Sequence, residues 1–397
     1  MMNRVVVIGG GYGGLRAVEG LSTYEDIEIT LIDQNPYHYL QTQAYGYIAG
    51  EFDVNEVAVD LYNWSLGFKR VKFIQATVSS VDFVKQEVFM GEEQLSYDYV
   101  ILAYGAKTNF FSFIEGLREN SYGVKSLYRA FNFRKEFENV IYKKLQNTDD
   151  SSSQELNIVI GGAGLSGVEV AAEMAHVIKN YSKTIGSRAK EIKIYLVDAS
   201  ETILPGTSDY IIKNTFKRLE SLGVNILTNA FISKVDKSFV YFKDAEPLEY
   251  SFMIFTGGIK ASPLNEVIES EKNKMDQLLV DKNLNISGFD NAFAIGDCIE
   301  MKGADGNILA PTAQSAERSA EYAAKAIKNR IDGTQYKGFN SSTMGIFVAL
   351  GGKYAVGEVF KYIKVRGYIA YTLKTAITYG YYIGLRLRIN TGFKNRI

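Results

Sequence analysis

The sequence predicts an α/β protein made of two Rossmann-like dinucleotide-binding domains followed by a C-terminal module. Three observations carry that expectation: a glycine-rich strand-to-helix turn opens the chain, the same turn recurs near its middle, and residues 361–397 change character in charge and aromatic content. At 397 residues the chain is too long for one ordinary core and should divide into two or three domains.

The first turn lies in NRVVVIGGGYGGLRAVEGL, where an apolar run from Val5 to Ile8 passes into Gly9-x-Gly11-x-x-Gly14 and then a helical pattern. Gly9 suits the tight turn, Gly11 the approach of a pyrophosphate, and Gly14 the packing of helix on strand, with the helix N-terminus facing phosphate. Tyr12 and Gly13 stand inside the same turn. The next strand, IEITLID, ends in Asp33, placed to hydrogen-bond a ribose hydroxyl.

The second turn lies in LNIVIGGAGLSGVEVAAEM, with Gly162, Gly164 and Gly167, and KIYLVDAS ends in the matching acid, Asp198. The interval to that acid is lengthened by the polar insertion SKTIGSRAKE. An acid at this point repels a 2′-phosphate, so NAD is expected over NADP. Two such folds in one chain suggest one bound FAD and one visiting NAD(H), the alternative being two unrelated nucleotide sites. Each has a later strand running into a glycine turn, YDYVILAYGAKTNFF with Ala103 and Gly105, and FMIFTGGIKASPL with Gly258, suited to crossing between domains. NAFAIGDCIE sets Asp297 just after an apolar strand, where a carboxylate can hold a flavin ribityl hydroxyl.

Composition removes several chemistries. Cys298 is the single cysteine, so neither an intrachain disulfide nor an internal redox dithiol is available. With His38 and His176 the only histidines, no His/Cys metal site is expected. The chain opens directly on a strand and has no run of 18 or more uncharged apolar residues, so neither a signal peptide nor a spanning helix is expected. The expected location is the cytosol or the cytosolic side of the membrane.

On these stretches the chain resembles the two-dinucleotide-binding-domain FAD flavoprotein superfamily and, within it, the type II NADH:quinone oxidoreductases. The resemblance covers nearly the whole chain; its more particular points are YHYLQTQAYGYIAG, TNFFSFIEGLRENSYGVKSL, Gly167-Val168-Glu169 and APTAQSA. Two departures stand out: Tyr104 where the family has Thr in Ala-Thr-Gly, and Thr42 where it has proline. The resemblance implies that hydride passes from NADH to FAD and two electrons then pass to a membrane quinone, without proton pumping. It also implies that His38 lies near FAD and that Glu169, read as lying in the first turn of its helix, stands beside the flavin. The alternative for Glu169 is a carboxylate stabilising a helix N-terminus, worth about 0.3–1 kcal/mol. Disulfide reductases and sulfide:quinone oxidoreductases need cysteines this chain lacks. Cys298 itself reads as packing.

In LAPTAQSAERSAEYAAKAIKNRI, Thr312 is a good N-cap and Ala313, Ala316, Ala320, Ala323 or Ala324, and Ile327 give a narrow face of small residues. That face suits either a packing helix or one aimed at the flavin. The resemblance makes this the quinone motif, Ala-Gln-x-Ala with a second glutamine two places on. Gln314 matches, and Arg318 occupies the second glutamine's place on the same helix face. Arg318 either donates to the acceptor's oxygen or pairs with Glu317 or Glu321.

From Lys361 onward there are eight cations (Lys361, Lys364, Arg366, Lys374, Arg386, Arg388, Lys394, Arg396), no acid and six tyrosines, leaving 36 cations against 45 acids in the rest. This reads as an interfacial segment attracted to anionic lipid; a homodimer contact is the other reading kept, and nucleic acid is set aside. The expected division is 1–119 with 265–332 for FAD, 120–264 for NADH, and 333–397 as the membrane-anchoring module. Alternative functions are a soluble diaphorase with another acceptor, or an NADH sensor without turnover.

Overall fold

The computed structural model describes residues 2–146, 155–185, 192–304, 306–342, 344–360 and 362–390. Lys361, Lys394 and Arg396 of the tail and residues 186–191 of the polar insertion lie outside them.

Two parallel sheets organise the chain, and they share one strand order. In the first, 292–294 pairs with 99–102, then 3–8, 27–33 and 71–75. The second runs 252–255, 156–161, 192–197, 224–227. The central strands read as near-continuous apolar runs because both faces are covered. Val5, Val6, Val7 and Ile158, Val159, Ile160 are all buried. Each sheet carries a small antiparallel meander before its return strand, at 80–96 and at 232–249.

The two glycine turns that follow the return strands pair with each other. Ala106–Thr108 runs antiparallel to Ile259–Ala261, with Lys107 opposite Lys260. This two-stranded link is the crossing that YDYVILAYGAKT and FMIFTGGIKA suggest.

Helix Ala313–Ile331 packs along Tyr12–Leu21, and the contact is close because small residues meet: a β-carbon on Gly20 would stand 3.0 Å from that of Ala324. Ala316, Ala320, Ala323, Ala324 and Ile327 are buried there. The alanine face is therefore a packing face, and Gln314 and Arg318 lie off it.

The tail is not one amphipathic segment. Ile363–Gly367 is the third strand of an antiparallel sheet with Gly345–Ala349 and Ala355–Val359, and only Tyr368–Asn390 is helical. Sheet pairing with 355–359 overrides any helical period there. The five described tail cations are also engaged by protein: Lys374 with Glu169, Arg388 with Glu19, Arg366 with Asn214, and Lys364 and Arg386 over the rings of Tyr210 and Tyr382.

Gly14 and Gly167 share one constraint, since a β-carbon on either would drive into the carbonyl oxygen of Gly9 or Gly162. Gly14→Ala is expected to cost about 1–3 kcal/mol and to release flavin. Gly167→Ala is expected to keep flavin and weaken NADH binding. Thermal unfolding and flavin fluorescence check the first, and NADH titration the second.

Candidate active site: two glycine cradles and an acceptor helix

Local geometry gives each motif glycine a distinct task. Gly9 and Gly162 have φ of +111° and +102°, where a β-carbon would press into backbone 2.5 Å away. Gly11 and Gly164 face open space, with nothing within 4 Å of a β-carbon. That opening, at the N-terminus of a helix, fits a pyrophosphate.

Asp33 and Asp198 do the same thing in the two halves. Asp33 accepts from Gly10 N at 2.6 Å and Asn35 N at 2.7 Å; Asp198 accepts from Ala163 N at 2.5 Å and Ser200 N at 2.7 Å. Each carboxylate thus ties its glycine turn to the end of the second strand. Asp33 Oδ1 also takes Asn35 Nδ2 at 3.2 Å, so Asp33 Oδ2 and both oxygens of Asp198 keep a lone pair for ribose hydroxyls.

His38 is buried, and burial lowers its pKa to about 4, so the ring is neutral at pH 7. Its Nε2 stands 3.1 Å from the Tyr381 hydroxyl, its ring meets Tyr12 edge-on at 4.9 Å, and Tyr12 bonds Thr42 at 2.7 Å. A neutral, enclosed imidazole suits positioning. Tyr104, at the family's threonine position, donates to the buried Asn265, which also holds the Cys298 carbonyl at 3.1 Å. The thiol of Cys298 is fully buried, lies 3.1 Å from the Ile295 carbonyl, and is pushed up to about 12.

Lys125 is the site residue that sequence reasoning missed. Its Nζ lies 3.0 Å from Asp297 Oδ2, both groups largely enclosed. No spacing signal joins residues so far apart in sequence; only its place in the family-like stretch ending GVKSL hinted at it.

Thr312 caps the acceptor helix, accepting from Ser315 N at 3.2 Å. Gln314 Oε1 accepts from Met344 N at 3.1 Å, and Arg318 Nη2 lies 2.7 Å from Met344 Sδ. Of the two acids offered by the sequence, Glu321 is taken by Arg16 at 2.6 Å, and Glu317 lies within electrostatic reach of Arg318. Glu169 is also not in its helix's first turn: the helix starts at Leu165, inside the glycine motif, so Glu169 is its fifth residue. It accepts from Ala349 N at 2.9 Å and Lys374 Nζ at 2.5 Å.

One cavity of about 910 Å³ gathers Gly9, Gly11, Tyr12, Gly13, Asp33, His38, Ala103, Gly105, Glu169, Asp297, Ala313, Gln314 and Arg318. Gly14, Gly162, Gly164, Gly167, Asp198 and Gly258 do not line it. The second cradle enters it through Leu165, Ser166 and Glu169, and its far end meets Met344, Phe360, Lys374 and Ile377.

A family model described as pyridine nucleotide-disulphide oxidoreductase matches residues 3–327. A type II NADH:quinone oxidoreductase of Staphylococcus aureus is 30% identical over 367 residues, covering 90% of each chain. This chain belongs to the type II NADH:quinone oxidoreductases. The fold is shared with NDH2 from Plasmodium falciparum in complex with NADH, at TM-score 0.84, 20% identity and full coverage of both chains. It is shared too with the sulfide:quinone oxidoreductase of Aquifex aeolicus, at TM-score 0.81 and 18% identity over 99% and 94%.

The native enzyme should resist iodoacetamide at about pH 8, because its thiol stays protonated and enclosed; one thiol per chain should react after unfolding, as mass spectrometry would count. Cys298→Ala should leave NADH oxidation within about twofold, since a buried thiol held off by burial takes no part in the redox step.

Proposed function

We propose that the chain oxidises NADH and reduces a membrane quinone through FAD, with the quinone ring at the Gln314 end of the cavity. The observation that carries this reading is the continuity of one cavity from the first glycine cradle to the acceptor helix, with Glu169 of the second cradle on its wall. FAD, when bound, supplies hydride acceptance from NADH and two-electron delivery onward.

The chain's own residues do the positioning. The open sides of Gly11 and Gly164 receive the two pyrophosphates, and Asp33 and Asp198 take the ribose hydroxyls; Gly258 borders the second cradle. Asp297, neutralised by Lys125, holds the ribityl chain. The amide of Gln314 and the guanidinium of Arg318 donate to quinone oxygens once they exchange their contacts to Met344. Arg318 favours an acceptor that gains negative charge. The domain division is 1–119 with 265–332, 120–264, and 333–397, and the third part brings the cavity mouth to the lipid.

The C-terminal helix supports membrane attachment by its apolar side more than by charge. Ile369, Leu373 and Ile377 stand four apart and are 66%, 42% and 62% exposed, with Tyr368 and Tyr379 beside them. No helix among the described residues is long and apolar enough to cross a membrane. Because the described cations have protein partners, vesicle binding should survive about 0.5 M salt, where exposed charges are screened; Leu373→Asp with Ile377→Asp should abolish it in a flotation assay.

Anaerobic reduction with NADH, followed by stopped-flow reoxidation with menaquinone, ubiquinone or oxygen, tests the function. Rapid reoxidation by a quinone and slow reoxidation by oxygen is the expected result; reoxidation by oxygen alone would sink the reading. Gln314→Ala should slow quinone reoxidation by about tenfold, the loss of one hydrogen bond of about 1.4 kcal/mol, and leave reduction by NADH unchanged.

A further inference from the structure

Gln314 and Arg318, the two donors at the acceptor end of the cavity, are both engaged by a single residue. Met344 N donates to Gln314 Oε1 at 3.1 Å, and Arg318 Nη2 lies 2.7 Å from Met344 Sδ. The Met344 carbonyl in turn accepts from Phe360 N at 2.7 Å. With its backbone tied on both sides, what can change at this position is the side chain.

A thioether is a weak acceptor, so a quinone oxygen displaces it from the guanidinium at little cost. A sulfoxide in the same place sets a polarised oxygen against a cation with five N–H donors. Such a charge-assisted bond is roughly twice as strong as a neutral one. One added oxygen therefore turns a displaceable contact into a competitor for the acceptor's own donor.

Met344 is also the thioether placed for that oxidation. It is 41% exposed and lines the cavity. Among the other described methionines, Met174, Met253 and Met301 are buried, Met90 is half-buried, and none of these lines it. Met2 and Met275 are exposed but do not line it either. The thiol of Cys298, which would otherwise compete for oxidant, is enclosed and protonated.

We propose that Met344 is a peroxide-sensitive stopper of the acceptor site: its sulfoxide binds Arg318 and keeps quinone out, an inference that rests on the quinone reductase reading. The oxidant is hydrogen peroxide. When oxygen takes the electron pair in place of quinone, NADH, H⁺ and O₂ give NAD⁺ and H₂O₂, so peroxide arises beside the stopper. The Met344 sulfur then attacks one peroxide oxygen and the O–O bond breaks. Sulfur is oxidised to the sulfoxide, and the other oxygen leaves as water. Methionine sulfoxide reductases reverse the change.

The test treats the holoenzyme with hydrogen peroxide and follows two readouts. Peptide mass spectrometry should find one added oxygen on the peptide that holds Met344. Stopped-flow kinetics should show the quinone KM raised about tenfold, the effect of one charge-assisted hydrogen bond, with reduction by NADH within about twofold of the untreated enzyme. Methionine sulfoxide reductases A and B together should restore the KM. Met344→Leu, close in shape and without sulfur, should have a quinone KM that peroxide does not move. Arg318→Gln, which keeps the methionine and removes the cation, should take up the oxygen with a smaller rise in KM.

Met344 oxidised with the quinone KM unchanged overturns the stopper, as does a peroxide effect that persists in Met344→Leu. Met275 oxidised while Met344 stays intact overturns it as well. If Met344→Leu fails to fold, an undiminished rise in Arg318→Gln overturns it instead. Untreated enzyme that no quinone reoxidises overturns the functional reading, and the stopper with it.

Discussion

Glu169 and Lys374 meet where three parts of the molecule converge. The carboxylate comes from the helix of the second glycine cradle, the ammonium from the C-terminal helix, and the same carboxylate takes Ala349 N from the tail sheet. Both side chains are about one-eighth exposed, so neither charge is well solvated without the other. Removing one partner of such a pair costs about 3–5 kcal/mol, chiefly through the charge left behind. Through this contact the second cradle, the tail sheet and the cavity mouth hold one relative arrangement.

The C-terminal helix also reaches the first cradle. Tyr381 bonds His38 and lies 4.9 Å from Tyr12, and Tyr382 donates to the Asn55 carbonyl at 2.8 Å. The first cradle and the cavity mouth are therefore linked by one helix, which also carries Ile369, Leu373 and Ile377 to the surface. A segment read from sequence as a lipid anchor is, on its inner face, part of the wall of the active site.

Several site features were legible because local chemistry demands particular residues. The glycine turns, their terminal acids and the Thr312 cap each depend on φ, on close backbone approach or on a nearby orphan amide, all of which are set within a few residues. Lys125 and Glu173 were not legible, since nothing in their own neighbourhood distinguishes a lysine facing Asp297 or a glutamate facing Gly352 from an ordinary surface charge. Glu169 was placed one turn too early, because the glycine motif itself begins the helix. The partners of the tail cations were not legible either: Arg388, Arg366 and Lys374 meet Glu19, Asn214 and Glu169 in the fold.

By itself, the sequence determined the two α/β nucleotide folds, the absence of a cysteine pair and the presence of a capped helix bearing Gln314 and Arg318, because these follow from residue type and short-range spacing. Tertiary structure alone decided that Arg318 meets Met344, that Lys374 pairs with Glu169 and that Glu173 is buried against Gly352 N. Those partners come from strands and helices far apart in sequence. Their charges acquire meaning only when burial removes the water that would otherwise solvate them.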